Sequence, residues 1–210
     1  LIGAVIMTHG DQRGLCLPPA IAPVQAVIIP VAMHKDGVLD KCREVYIALK
    51  SVARVKLDDR DFTPGWKFNE YEMKGVPVRI EIGPRDIENG VATVARRDKT
   101  EEKFTIRLDD IATELPKLLA DIQTNMYNKA LAFRDSHVKI VSDTAELKDA
   151  VDSGNFALGM WCGDRECEDK IKEITGASTR NMPFDQTPCG DKCVCCGKKA
   201  TKKIYFGKAY

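Results

Sequence analysis

The hydrophobic pattern of the chain alternates most plainly in the stretch GVPVRIEI, residues 75–82. Val76, Val78, Ile80 and Ile82 share one parity, and Arg79 and Glu81 share the other. A period of two describes a strand with one buried face and one charged face. Gly75 and Pro77 mark its entry, and Gly83-Pro84 ends it in a turn followed by Arg85 and Asp86.

Residues 1–7, LIGAVIM, are apolar and need a partner to bury them; residues 8–14 break the segment. Pro18, Pro19 and Pro23 restrict the backbone to extended forms, so residues 14–23 read as a linker between domains. QAVIIPV, from Gln25, is a buried strand. Over residues 38–52, Leu39, Cys42, Val45, Tyr46 and Leu49 form one helical stripe. Val55 and Leu57 make a short strand, and Thr63-Pro64-Gly65 opens a short helix over residues 66–73. After the alternating strand comes a turn over residues 84–90. Two strands, 91–95 and 104–108, then flank a polar hairpin loop. A long helix over residues 111–133 turns Leu115, Leu118, Leu119, Ile122 and Met126 inward. Strands that alternate with helices and then follow one another predict an α/β domain. Its sheet is mixed and mostly parallel, with helices on both faces. In such sheets ligands bind beyond the carboxyl ends of the strands, where Arg85 and Asp86 fall.

A second, small α+β unit begins near Ser136. It has a strand over residues 138–141 and a helix over 144–151 capped by Asp143 or Thr144. A strand over 156–161 runs into Cys162, a helix over 167–175 is stopped by Gly176, and a last strand covers 200–206.

With 210 residues, the chain makes one large domain or two small ones. Hydrophobic residues at 44% and charged residues at 30% describe a globular protein rather than a disordered one. A net charge of +1 gives no global field toward nucleic acid or membrane, so any such binding comes from local patches. The longest apolar run is too short to span a bilayer and lacks the features of a signal peptide. A start inside an apolar element suggests a chain that begins mid-fold.

Eight cysteines change the picture, because six of them lie between Cys162 and Cys196. That clustering favours a metal site over a disulfide framework or a redox pair. Cys162-x4-Cys167 and Cys193-x2-Cys196 are flanked by Gly163, Gly190 and Gly197, and can bring four thiolates to one tetrahedral centre. Sulfur ligands favour zinc or an iron–sulfur cluster, and four of them leave no open position, so the expected role is structural zinc. Cys196 is the preferred fourth ligand and Cys195 the alternative; Cys189 and Cys195 would then be free thiols.

The charged strand face offers a second chemistry. Guanidinium and carboxylate forks on rigid backbone suit the edges of unstacked bases, and they also suit an ordinary solvated face. His9 is a lone histidine, and Arg13 either meets a phosphate or is simply solvated. The basic tail, with Lys198, Lys199, Lys202, Lys203 and Lys208, either tracks an RNA backbone or forms an exposed strand edge.

Five segments together carry a resemblance: THGDQRGLCLPPAIAPVQAVIIP, PGWKFNEYEMKGVPVRIEIGPRD, WCGDRECED, KCVCCGK and YFGKAY. They span the chain, which resembles the C-terminal half of prolyl-tRNA synthetases of the eukaryotic and archaeal type. The resemblance implies the tail of a class II catalytic domain and a linker over residues 1–24. An α/β anticodon-binding domain over 25–135 and a zinc-binding domain over 136–210 follow. It implies that Glu72, Arg79, Arg85 and Asp86 read the two guanines shared by proline anticodons, with Arg85 standing where some members have lysine. It places the metal ligands at Cys162, Cys167, Cys193 and Cys196, with Cys195 still open because some members use Cys-x-Cys. Tyr210 matches a terminal tyrosine whose carboxylate reaches toward the catalytic site. The whole enzyme would use ATP with Mg2+, proline and tRNA(Pro), as a cytoplasmic homodimer that binds neither membrane nor DNA. The alternatives are a stand-alone zinc-containing RNA-binding module without catalysis and a zinc-stabilised scaffold that binds no RNA.

Overall fold

The structure is a computed structural model that describes residues 1–99 and 102–209. It divides into two compact units, residues 1–130 and 131 onward.

The first unit opens with α1 (Ile2–His9), which buries none of its residues. Its sheet is built from β1 (Ala26–Pro30), β2 (Val55–Leu57), β3 (Val78–Ile82), β4 (Val91–Arg96) and β5 (Lys103–Arg107), in the order β2-β1-β3-β4-β5. The β1–β2 and β1–β3 pairs are parallel, and the β3–β4 and β4–β5 pairs antiparallel. β4 alone therefore runs against the other four, and the sheet is mixed, as the element order predicted. α2 (Val38–Leu49) carries the chain from β1 to one neighbour, and α3 (Pro64–Met73) carries it back across β1 to the other. Right-handed crossovers in opposite directions place those helices on opposite faces.

The packing agrees. Ala26, Ile28, Val78, Ile80, Ile82, Ala92 and Val94 share a core with α2 and with α5 (Ile111–Ser136). Val27 and Ile29 pack on the other face with Tyr71 and the half-buried Phe68 of α3. The division between the two units falls within α5.

Several boundaries move. β3 begins at Val78, and Val76 joins the α3-side core despite its parity, because Pro77 interrupts the strand's entry. The turn over residues 84–90 contains a short helix, α4 (Pro84–Glu88). Residues 14–23 do not hang free. Leu15 and Leu17 donate to the carbonyls of Met73 and Gly75 at 2.9 and 3.1 Å, and Arg54 holds the carbonyls of Pro19, Ala20 and Ala22.

The second unit has β6 (Val138–Ile140), α6 (Thr144–Asp152), β7 (Phe156–Trp161), α7 (Arg165–Thr175), β8 (Ala177–Thr179) and β9 (Lys202–Lys208), with strand order β6-β7-β9-β8. Asp143 caps α6, accepting from the amides of Ala145 and Glu146. The basic tail is thus no exposed edge. β9 lies between β7 and β8, with Lys203 paired to Asp185 at 3.2 Å and Lys208 to Asp152 at 2.6 Å. β8, three residues long, escapes a periodicity argument altogether. No helix among the described residues is long and apolar enough to cross a membrane.

Candidate nucleic-acid interface and metal centre

The α3-facing side of the sheet carries a row of charge. Arg79 and Glu81 point there from β3, and register sets Ala95 and Thr93 of β4 opposite them. Arg79 Nε donates to Glu81 Oε1 at 2.9 Å, and Lys103 Nζ reaches the same carboxylate from β5 at 2.9 Å. The Phe68 ring lies against the Arg79 guanidinium, 4.3 Å from centroid to Cζ, with the Lys103 ammonium at 5.3 Å. Glu81 and Phe68 therefore hold Arg79 in place. Phe68 was not singled out from the sequence. The signal for Phe68 was present, since residues 68 and 72 are one helical turn apart and Glu72 shares that turn.

Glu72 and Arg79 line one small cavity of about 30 Å³, together with Tyr71, Val76, Ala95, Arg96 and Arg97. Arg97 Nε donates to the Glu72 carbonyl at 3.0 Å, and Arg13 Nη1 to the Glu72 carboxylate at 3.2 Å. Arg85 and Asp86 sit beyond the other end of β3, on α4. Gly83 lies four residue steps along the chain from Arg79, roughly 13 Å, so the two pairs face different parts of any bound strand. Among the described residues no ion pair joins any two of Glu72, Arg79, Arg85 and Asp86. Arg85 is exposed and makes no ion pair among the described residues.

Asp86 has a structural task as well. Its Oδ2 accepts from the Gly83 amide at 2.8 Å, closing the first turn of α4, and its Oδ1 accepts from Thr93 Oγ1 at 2.9 Å. Asp86→Ala is therefore expected to lower stability by about 1 kcal/mol through the lost cap, read as a shift in the urea midpoint. An unchanged midpoint would show that the cap contributes nothing. His9 is half-buried, and burial, then the charge of Lys129, lowers its pKa.

In the second unit β7 delivers Cys162, the first turn of α7 delivers Cys167, and the loop before β9 delivers Cys193 and Cys196. Their sulfurs all lie within 4.8 Å of one another, and Cys162 and Cys196 Sγ are 3.9 Å apart. A tetrahedral zinc with bonds of about 2.3 Å would set its sulfurs about 3.8 Å apart. The donor set and its spacing fit such an ion. Gly163 and Gly197 turn the backbone at φ of +88° and +69°, conformations that favour glycine. The loop is closed by Cys193 N to Lys198 O at 2.8 Å and Gly197 N to Cys193 O at 2.9 Å. Burial pushes the Cys193 thiol up, but the backbone amides of Cys196 and Cys195 outweigh it and bring it down to about 7. Burial raises Cys162 and Cys167. Cys195 stands outside the four and packs against the hydrophobic cores, as the half-buried Cys189 does beside the cluster. Tyr210 lies outside the described residues.

The model for "Anticodon binding domain" matches residues 25–118, and the one for "Prolyl-tRNA synthetase, C-terminal" matches residues 144–210. A proline–tRNA ligase of Clostridium novyi is 53% identical over the whole chain. The chain belongs to the C-terminal region of the proline–tRNA ligase family. A second such ligase, from Ruminiclostridium cellulolyticum, is also 53% identical over the full chain. The prolyl-tRNA synthetase of Cryptosporidium parvum, solved with halofuginone and AMPPNP, superposes over the entire chain with a TM-score of 0.93 at 38% identity. The chain spans 44% of the clostridial ligase and 45% of the Cryptosporidium one. The charged row of the ligase region thus lies inside the segment matched as anticodon-binding, and all four clustered cysteines lie inside the C-terminal match.

Proposed function

We propose that this chain is the tRNA-selecting half of a proline–tRNA ligase, which activates proline with ATP and Mg2+ and esterifies it to tRNA(Pro). The observation that carries this reading is the likeness to proline–tRNA ligases along the chain's whole length. On this reading residues 1–24 form the tail of a class II catalytic domain and a linker. Residues 25–135 bind the anticodon, and residues 136–210 form a zinc-binding domain. The enzyme is a cytoplasmic homodimer. Nothing favours the non-catalytic accessory module, since the matched relatives are named as ligases.

Glu72, Arg79, Arg85 and Asp86 read the two guanines of the anticodon. A carboxylate accepts from guanine N1–H and N2–H, and arginine donates to O6 and N7. The stacking of Arg79 on Phe68 and its tie to Glu81 support the role, because a pre-set guanidinium loses less freedom on binding. Cys162, Cys167, Cys193 and Cys196 hold one zinc ion in a structural role.

The test is binding to tRNA(Pro). Arg79→Ala should weaken it by roughly 1–3 kcal/mol, the cost of one lost base contact. An equal loss on a tRNA with an unrelated anticodon would argue against base reading and for simple backbone attraction.

A further inference from the structure

Glu72 borders two concavities. Besides the small cavity shared with Arg79, it lines an open groove of about 570 Å³ with Gln12, Arg13, Gly14, Asn69 and Met73. The groove runs between the turn before the anticodon-binding segment and the exposed side of α3. In it Arg13 Nη1 donates to Glu72 Oε1 at 3.2 Å, with 50% of the arginine side chain and 24% of the glutamate side chain exposed. Among the described residues Glu72 Oε2 and the rest of the Arg13 fork have no partner.

Both groups are braced. Asp11 accepts from Arg97 Nη2 and Nη1 at 2.6 and 2.7 Å and from the Arg13 amide at 2.8 Å. The same Arg97 holds the Glu72 carbonyl at 3.0 Å. Gly14, at φ of +120°, lies so close to α3 that a Cβ would come within 2.6 Å of the Met73 carbonyl oxygen. One buried guanidinium thus fixes the turn that carries Arg13 and the helix that carries Glu72.

A donor fork beside an acceptor pair matches one nucleobase. Guanine offers O6 and N7 as acceptors on one edge and N1–H and N2–H as donors on the next, and the two edges meet at O6. Adenine puts an amino donor where O6 stands and lacks N1–H, so it would face Arg13 donor to donor and leave Glu72 unpaired. We propose that this groove is a guanine subsite in which Arg13 reads O6 and N7 while Glu72 reads N1–H and N2–H. The proposal rests on the anticodon-reading role of Glu72 and adds a reader from outside the matched anticodon-binding segment.

The 210-residue chain is titrated with the anticodon stem–loop of tRNA(Pro). Each shared guanine is replaced in turn by 7-deazaguanine, which lacks N7, or by inosine, which lacks the 2-amino group. Wild type is expected to lose several-fold in affinity with 7-deazaguanine at one of the two positions. Arg13→Ala should bind the unmodified loop roughly tenfold more weakly. It should be indifferent to 7-deazaguanine there while still preferring guanine to inosine. Arg13→Gln keeps a polar side chain and the turn but falls short of the guanidinium's reach, and should behave alike. If both variants remain as sensitive to 7-deazaguanine as wild type, the subsite is overturned. Continued preference of those variants for the proline anticodon would then leave the role of Glu72 standing. A wild-type chain that shows no preference for guanine at either position would overturn both.

Discussion

Cys193→Ser is expected to abolish binding of the zinc proposed at the four-cysteine cluster and to strip hydrogen-exchange protection from β7, α7 and β9, while β1 and β3 keep theirs. The reason lies in how the second unit is tied together. β7, α7 and the 189–200 loop supply sulfurs to one point, and Met160, Cys167, Cys193 and Ala200 are buried around it. Structural zinc contributes about 10–16 kcal/mol to the folding of small zinc-finger peptides. This unit has a further core in Val141, Leu147, Ala157, Ile171, Ile204 and Phe206, so the cost here should be smaller, on the order of several kcal/mol. Cys195→Ser serves as the control and should retain close to one zinc per chain, because Cys195 lies outside the four-sulfur cluster. Metal analysis and exchange mass spectrometry read both variants. Retention of zinc in the Cys193 variant would overturn the site, and its loss from the Cys195 variant would put Cys195 among the ligands.

Asp58→Ala should lower the stability of the first unit by about 3–5 kcal/mol, the scale for breaking a buried ion pair from one side. Asp58 and Lys67 are each 1% exposed. Lys67 Nζ donates to the Asp58 carbonyl at 3.0 Å and lies 3.9 Å from its carboxylate. Arg60 grips that carboxylate through Nε at 2.9 Å and Nη2 at 2.7 Å, also bonds Glu70, and lies 5.4 Å from both the Phe62 and Trp66 rings. Without Asp58 the Lys67 ammonium is left buried without its counter-charge. Asp58→Ala/Lys67→Met should recover part of the loss, because it removes both charges at once.

The same network sets a pH dependence. Burial pushes the Asp58 carboxyl up, but the Arg60 hydrogen bonds and the charge of Lys67 outweigh it and hold the pKa at about 2. A carboxyl whose pKa falls on folding stabilises the protein above its unfolded value, near 4, and loses that contribution as pH drops toward 2. Wild type should therefore lose stability between about pH 4 and pH 2 more steeply than the double variant. Parallel curves would show that Asp58 is not the group responsible.

Much of the architecture was legible because strand and helix periods are local. The alternation of Val78, Ile80 and Ile82 against Arg79 and Glu81 was enough to orient β3, and the stripe of Cys42, Val45 and Leu49 to orient α2. Where local rules met an interruption they failed. Pro77 moved Val76 to the other core, and Lys202, Lys203 and Lys208 of the tail joined a central strand because β8, too short to announce itself, covers its far side.

By itself, the sequence determined the two-part organisation of secondary structure, the charged face of β3 and the gathering of cysteines. Each of these depends on residues a few positions apart. Only the tertiary structure decided which side chains complete the sites. Cys196 rather than Cys195 joined the cluster, Phe68 and Lys103 came to lie beside Arg79 and Glu81, Asp86 became a cap, and Asp11 and Arg13 reached Arg97 and Glu72. Those partners stand 22, 59 and 86 residues apart for Lys103–Glu81, Arg13–Glu72 and Arg97–Asp11. Contacts at such separations exist only once strand order and crossover handedness have brought distant segments together, and no local period encodes them.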